Sequence, residues 1–175
     1  MRREILAPGD NVRVELKNVI VWYRSKHEPV CAWKYGTAPH TNNFELGQHG
    51  RYRTNVWDYA GVNTMKCGRA EELAMHPTVK PVALVADAIK DVSKRKGVAL
   101  DPFGGSGTTI IAAEKTGRRA RAIEFDPKYV DVAVRRWERY TGKTAVLDAT
   151  GQTFEDVEAA RIAANDSAVA GEEVA

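Results

Sequence analysis

Apolar positions recur along this chain with two different periods, and the change of period divides it. Val12-Arg13-Val14-Glu15-Leu16 alternates with period two, and Val19-Ile20-Val21-Trp22-Tyr23 is an unbroken β-branched and aromatic run. The first pattern predicts a half-buried strand and the second a strand covered on both faces. Pro29 to Trp33 is a third strand candidate, closed by Lys34-Tyr35-Gly36. Residues 36–70 then lose all periodicity: Gly, Asn, Thr, His and Arg dominate, with one short strand expected near Thr54-Asn55-Val56-Trp57. A loop-rich stretch of that length in a compact domain usually carries function.

From residue 78 the period becomes helical. Val82, Val85, Ile89 and Val92 share one face of a helix expected over 78–96. Pro81 is tolerated in its first turn, and Lys94-Arg95-Lys96-Gly97 reads as its end. Val98 to Asp101 is expected as a short buried strand, followed by the glycine-rich turn Pro102 to Thr109. A helix from Ile110 to Lys115 stops at Gly117, and a strand follows from Arg119 to Phe125. Asp126-Pro127 opens another helix, with Val130, Val134 and Trp137 on one face and Gly142 at its end; Thr144 to Leu147 is a last strand. Strand, helix, strand, helix, strand is the order of an α/β fold with a mostly parallel sheet and crossover helices. In residues 151–175, rich in Ala and Glu, Thr153 can cap a short helix, and disorder is expected beyond Asn165.

Length and composition narrow the class. The 175 residues are 43% apolar and 28% charged, enough for one core and too apolar for a disordered chain. No apolar run approaches the roughly 18 residues of a membrane span, so no membrane partner is expected. Cys31 and Cys67, 36 positions apart, form neither a disulfide framework nor a zinc pattern, which suits a reducing cytoplasm. The four histidines (27, 40, 49 and 76) have no metal-ligand spacing. Charge is uneven: residues 1–150 hold 25 Lys/Arg against 17 Asp/Glu, and residues 151–175 hold one against six. A basic body with an acidic tail suits a polyanionic partner, or equally a solvated surface.

The glycine turn lets backbone approach a ligand closely, and the helix beyond it presents free N–H groups. It is not a phosphate loop, because Gly-Lys-Ser/Thr is absent. Asp101 stands at its mouth, where a carboxylate would repel pyrophosphate and welcome an ammonium group. Glu124, 23 residues later at the end of the next strand, is placed to accept both hydroxyls of a ribose. The expected ligand has a ribose, a positive end and no phosphate, and S-adenosylmethionine meets all three conditions. Its carboxylate would lie near Ser106 to Thr108, its ammonium near Asp101 and its adenine beside Phe125. The bland alternative is that Asp101 and Glu124 only satisfy nearby backbone.

His76-Pro77-Thr78-Val79-Lys80-Pro81, followed about twenty residues later by Leu100-Asp101-Pro102-Phe103-Gly104-Gly105-Ser106-Gly107-Thr108, resembles the cofactor half of DNA amino-methyltransferases. More narrowly, it is similar to the beta class, which methylates the exocyclic amine of adenine or cytosine and in which the catalytic half precedes the cofactor half. The run from Tyr23 to Trp57, with His27-Glu28 and Arg51 to Asp58, resembles phage and prophage relatives; the likeness covers roughly residues 18–150.

The resemblance implies a Rossmann-like methyltransferase fold and S-adenosylmethionine as cofactor. Asp101, Phe103, Gly104, Gly105, Ser106, Gly107 and Thr108 become cofactor-loop residues, with Glu124 on the ribose and Phe125 beside the adenine. Thr78 and Lys80 would lie across the methionine end. Double-stranded DNA is the implied partner. Arg51, Arg53, Lys66 and Arg69 are candidates for its phosphates, and Asn42, Asn43 and Gln48 for base edges.

The family's Asp/Asn/Ser-Pro-Pro-aromatic motif, which orients the target amine and stacks on the flipped base, does not occur in these residues. The expectation is therefore an incomplete methylase domain over residues 1–150, with a DNA-contact region at 36–75, a cofactor half at 76–150, an acidic tail at 151–175 and no catalytic residue of its own. It would be inactive alone and could pair with a separate chain carrying the motif. A non-catalytic cofactor- or DNA-binding module and a nicotinamide-dependent oxidoreductase are the competing readings.

Overall fold

The structure, a computed structural model, describes residues 4–5, 14–23, 27–43, 54–59 and 79–172. Its strands fall into two sheets. The first joins β1 (Glu4–Ile5), β2 (Val14–Tyr23), β3 (His27–Tyr35) and β4 (Val56–Asp58). β2 pairs antiparallel with β1 and β3, and parallel with β4 through Val21↔Val56 and Trp22↔Trp57. The two stretches read separately as Val12–Leu16 and Val19–Tyr23 therefore belong to one strand, whose register with β3 shifts between Leu16 and Asn18. A hairpin accounts for this: three residues separate β2 from β3, too few for a parallel crossover.

The second sheet is the parallel pair β5 (Val98–Asp101) and β6 (Arg119–Ala122). The helices are α1 (Val82–Val92), α2 (Thr108–Thr116), α3 (Pro127–Thr141) and α4 (Phe154–Glu172). The expected α/β class is found, with β5–α2–β6 as the crossover unit. Among the described residues no ladder joins β5 or β6 to the first sheet.

Local chemistry explains the helix ends. Asp126 Oδ1 accepts from the Lys128 N–H (2.9 Å), and Pro127 fills the first helical position, where its missing donor costs nothing. Gly117 and Gly142 end α2 and α3 in the left-handed conformation. α1 ends earlier than its pattern predicts, because Lys94 to Lys96 form a turn in which Lys96 takes φ 64°. Its deepest residues are Leu84 and Ala86, whereas Val92 is exposed. Trp57, 2% exposed, and Leu84 form the core between β4 and α1, with Val30, Tyr59 and Ala88 around them. Tyr59 meets Trp57 edge-on and donates to Asp87 on α1.

Three more expectations are corrected. The Arg119–Phe125 strand stops at Ala122, so Glu124 and Phe125 lie beyond it. Thr144 to Leu147 makes one bridge, Val146↔Thr153, instead of a strand. The helix after Thr153 runs 19 residues to Glu172. Thr153 and Asp156 cap it reciprocally, Thr153 Oγ1 accepting the Asp156 N–H and donating to its carboxylate. The Thr153 hydroxyl and its backbone N–H, both donating to the Asp156 carboxylate, hold that carboxyl below its ordinary pKa. The β5–β6 pair is also less covered than expected: Val98 and Leu100 are 53% and 68% exposed. No helix among the described residues is long and apolar enough to cross a membrane.

Lys143 Nζ donates to Glu114 Oε1 (2.9 Å), tying the end of α3 to α2 and lowering the Glu114 pKa. A depressed carboxylate pKa contributes stability above the unfolded value, lost as pH falls through the folded one. Because the pair is solvent-exposed, Lys143→Met should lower unfolding free energy by less than about 1 kcal/mol at neutral pH. Urea titrations should show that difference shrinking as pH falls below the ordinary glutamate value of about 4.3 and vanishing only once Glu114 is protonated in the folded state as well.

Candidate cofactor site

The glycine turn is fixed from both strands. Ile123 N–H donates to Asp101 O (2.9 Å) and Gly104 N–H to Ile123 O (2.8 Å), so the parallel ladder continues into the loop. A Cβ on Gly104 would meet Ala122 Cβ at 3.3 Å, which is why the backbone can lie so close here. Gly105 and Gly107 take φ +50° and +77°.

Both candidate carboxylates grip this turn. Asp101 Oδ1 accepts from Phe103 N–H (3.0 Å) and Oδ2 from Thr109 Oγ1 (2.6 Å). Glu124 Oε2 accepts from Gly105 N–H (2.6 Å) and Oε1 from Asp126 N–H (3.0 Å). The backbone-satisfying role is thus real. Backbone contacts and ligand contacts are not exclusive, because a carboxylate has about four acceptor positions. Two aromatic rings flank the turn in water: Phe103 is 87% exposed and Phe125 100%.

A cavity of about 350 Å³ lies between the two sheets, within the size range of small-ligand sites. Val30, Trp57, Leu84 and Ala88 make its apolar depth; Lys80, Leu100, Asp101 and Thr109 border it. The structure so brings Lys80 and Asp101 to one cavity, while Phe103, Glu124 and Phe125 lie outside it.

Ser106 and Thr108 are placed differently from a simple ligand-facing loop. Both are buried, and their hydroxyls accept from Arg136 Nη1 on α3, at 3.3 and 3.0 Å. Arg136, Ala133 and Thr109 were not legible as site residues, since their contacts span up to 30 positions. The one available signal was that Ala133 and Arg136 stand three apart on a helix, and so share a face. Asn43, expected at base edges, instead donates to Lys90 O (2.7 Å) and Ser93 O (2.9 Å), capping α1. Thr78, Gln48, Arg51, Arg53, Lys66 and Arg69 lie outside the described residues. No cluster of metal-ligating side chains occurs among the described ones.

Residues 7–135 match the N6/N4 methylase family model, described as DNA methylase. Type II methyltransferase M.ScaI of Streptomyces caespitosus is 36% identical over 105 residues, 60% of this chain and 34% of that protein. DNA adenine methyltransferase YhdJ of Escherichia coli K12 is 36% identical over 88 residues, 50% and 29% of the two chains. The chain thus spans about a third of the length of these curated relatives. Among solved structures, a Thermus thermophilus protein assigned as a DNA modification methylase and complexed with S-adenosyl-L-methionine is 26% identical. It superposes with a TM-score of 0.53 over 77% of this chain and 59% of its own. Motif order, glycine turn and paired carboxylates therefore share one explanation: the chain belongs to the N6/N4 DNA methylase family.

Proposed function

We propose that these residues form the cofactor half of a beta-class, phage-type DNA amino-methyltransferase. It would serve methyl transfer from S-adenosylmethionine to the exocyclic amine of adenine or cytosine in double-stranded DNA. The observation that carries the reading is the pair Asp101 and Glu124, each at or just beyond the end of one of two adjacent parallel strands, on either side of a glycine turn. The bound cofactor supplies an electrophilic sulfonium methyl. Asp101 has acceptor capacity left for its ammonium, and Lys80 borders the same cavity. Glu124 has capacity for the ribose hydroxyls, and Phe103 and Phe125 offer exposed faces for the adenine. Asp101 at the mouth of the turn disfavours the pyrophosphate of a nicotinamide cofactor, and family membership argues against the oxidoreductase reading. Arg51, Arg53, Lys66 and Arg69 are the proposed phosphate contacts.

The 175 residues contain no Pro-Pro-aromatic tripeptide, so nothing in them holds the target amine in line with the methyl group. These residues alone should therefore bind the cofactor without transferring its methyl group. Purified chain with labelled cofactor and unmethylated DNA should give no turnover; clear turnover would refute this reading. S-adenosylhomocysteine should bind, and Asp101→Ala or Glu124→Ala should weaken it by about tenfold or more, the worth of one charged hydrogen bond. Calorimetry giving all three proteins one affinity would remove the site.

A further inference from the structure

Glycines at 105 and 107 leave the middle of the turn with little side-chain packing of its own, so its shape depends on what grips it. Asp101 holds its two ends, at Phe103 and Thr109, and Glu124 holds Gly105. Ser106 and Thr108 are held from α3. Arg136 Nη1 donates to Ser106 O (3.1 Å), Ser106 Oγ (3.3 Å) and Thr108 Oγ1 (3.0 Å). One helical turn earlier, Ala133 lies so near that a Cβ on Gly107 would sit 2.8 Å from its own. Ser106 and Thr108 are 4% and 8% exposed. A guanidinium donating to oxygens removed from water makes strong, directional bonds.

We propose that Arg136 is a positioning residue for the amino-acid end of the cofactor. It fixes Ser106 to Thr108 from behind, so that the first amides of α2 stay aimed at a carboxylate. Its charge adds to the positive end of that helix. The inference rests on the S-adenosylmethionine reading. It separates the two ends of the ligand: Arg136 governs the amino-acid end, while Glu124 governs the ribose.

Calorimetric titration with S-adenosylhomocysteine and with 5′-methylthioadenosine, which lacks the amino-acid end, tests it. In Arg136→Met the first ligand should bind about tenfold more weakly and the second within about twofold of the parent chain. Arg136→Lys should recover part of the loss. The double variant Ser106→Ala, Thr108→Val removes two of the three acceptors without altering α3, and should show the same selectivity if Arg136→Met does not fold. Unchanged binding of the first ligand, or an equal loss of both, overturns the proposal. If the parent chain binds neither, the cofactor reading itself falls and takes this one with it.

Discussion

Gly107→Ala should destabilise the protein by about 2–5 kcal/mol, the sum of a left-handed backbone penalty and an overpacked contact. Gly107 has φ +77°, and a Cβ there would lie 2.8 Å from Ala133 Cβ and 3.1 Å from Ala133 Cα. Neither neighbour is the end of a flexible side chain, so the clash can be relieved only by moving α3 away from the turn. Urea midpoints measure the effect. Adding Ala133→Gly should return the steric part and leave the backbone part, apart from the roughly 1 kcal/mol that glycine costs within a helix. A single variant within about 0.5 kcal/mol of the parent chain would mean that α3 does not clamp the turn. The functional corollary is direct: displacing α3 also withdraws Arg136 from Ser106 and Thr108.

Trp57→Ala should cost about 3–5 kcal/mol, as for other large aromatic truncations in cores. Trp57 is the largest fully buried side chain described and packs with Leu84 across β4 and α1. The first sheet makes this core contact with α1, and Lys80 stands just ahead of that helix on the cavity that Asp101 also borders. The loss should therefore appear twice, in the urea midpoint and in weaker S-adenosylhomocysteine binding. Trp57→Phe keeps most of the buried area and should cost less than half as much. If truncation moved the midpoint by less than about 1 kcal/mol, the Trp57–Leu84 contact would not be the core.

Features set by neighbours in sequence were legible before any coordinates. Asp126-Pro127 opens α3 and Gly117 and Gly142 end two helices because capping is decided within a few residues. The β5–turn–α2 unit carries its own glycine chemistry. Features set across the chain were not. Arg136 reaches its partners 28 and 30 positions away, and no periodicity marks such a contact. Asn43 was read for the base-edge chemistry of its amide, yet the same amide suits a helix C-terminus equally well. Ala and Glu in residues 154–172 match either a solvated coil or a helix; Thr153 capping and the Arg135–Glu158 and Arg135–Phe154 contacts with α3 favour the helix. The apolar run Val98 to Leu100 reads as buried, because a period reveals which residues want cover and says nothing of what is there to cover them.

The open side of the β5–β6 pair has a consequence for the molecule's behaviour among its own copies. Register and alternation put Val98, Leu100, Arg119 and Arg121 on one side, and Ile123 just beyond is also exposed. At low ionic strength the two guanidinium groups repel their counterparts on another molecule and hold these greasy strips apart. Added electrolyte shortens that repulsion to about 3 Å at 1 M, while apolar attraction persists. Concentrated brine, so often the remedy for a sticky basic protein, should here favour contact between the strips, which light scattering at rising salt would read.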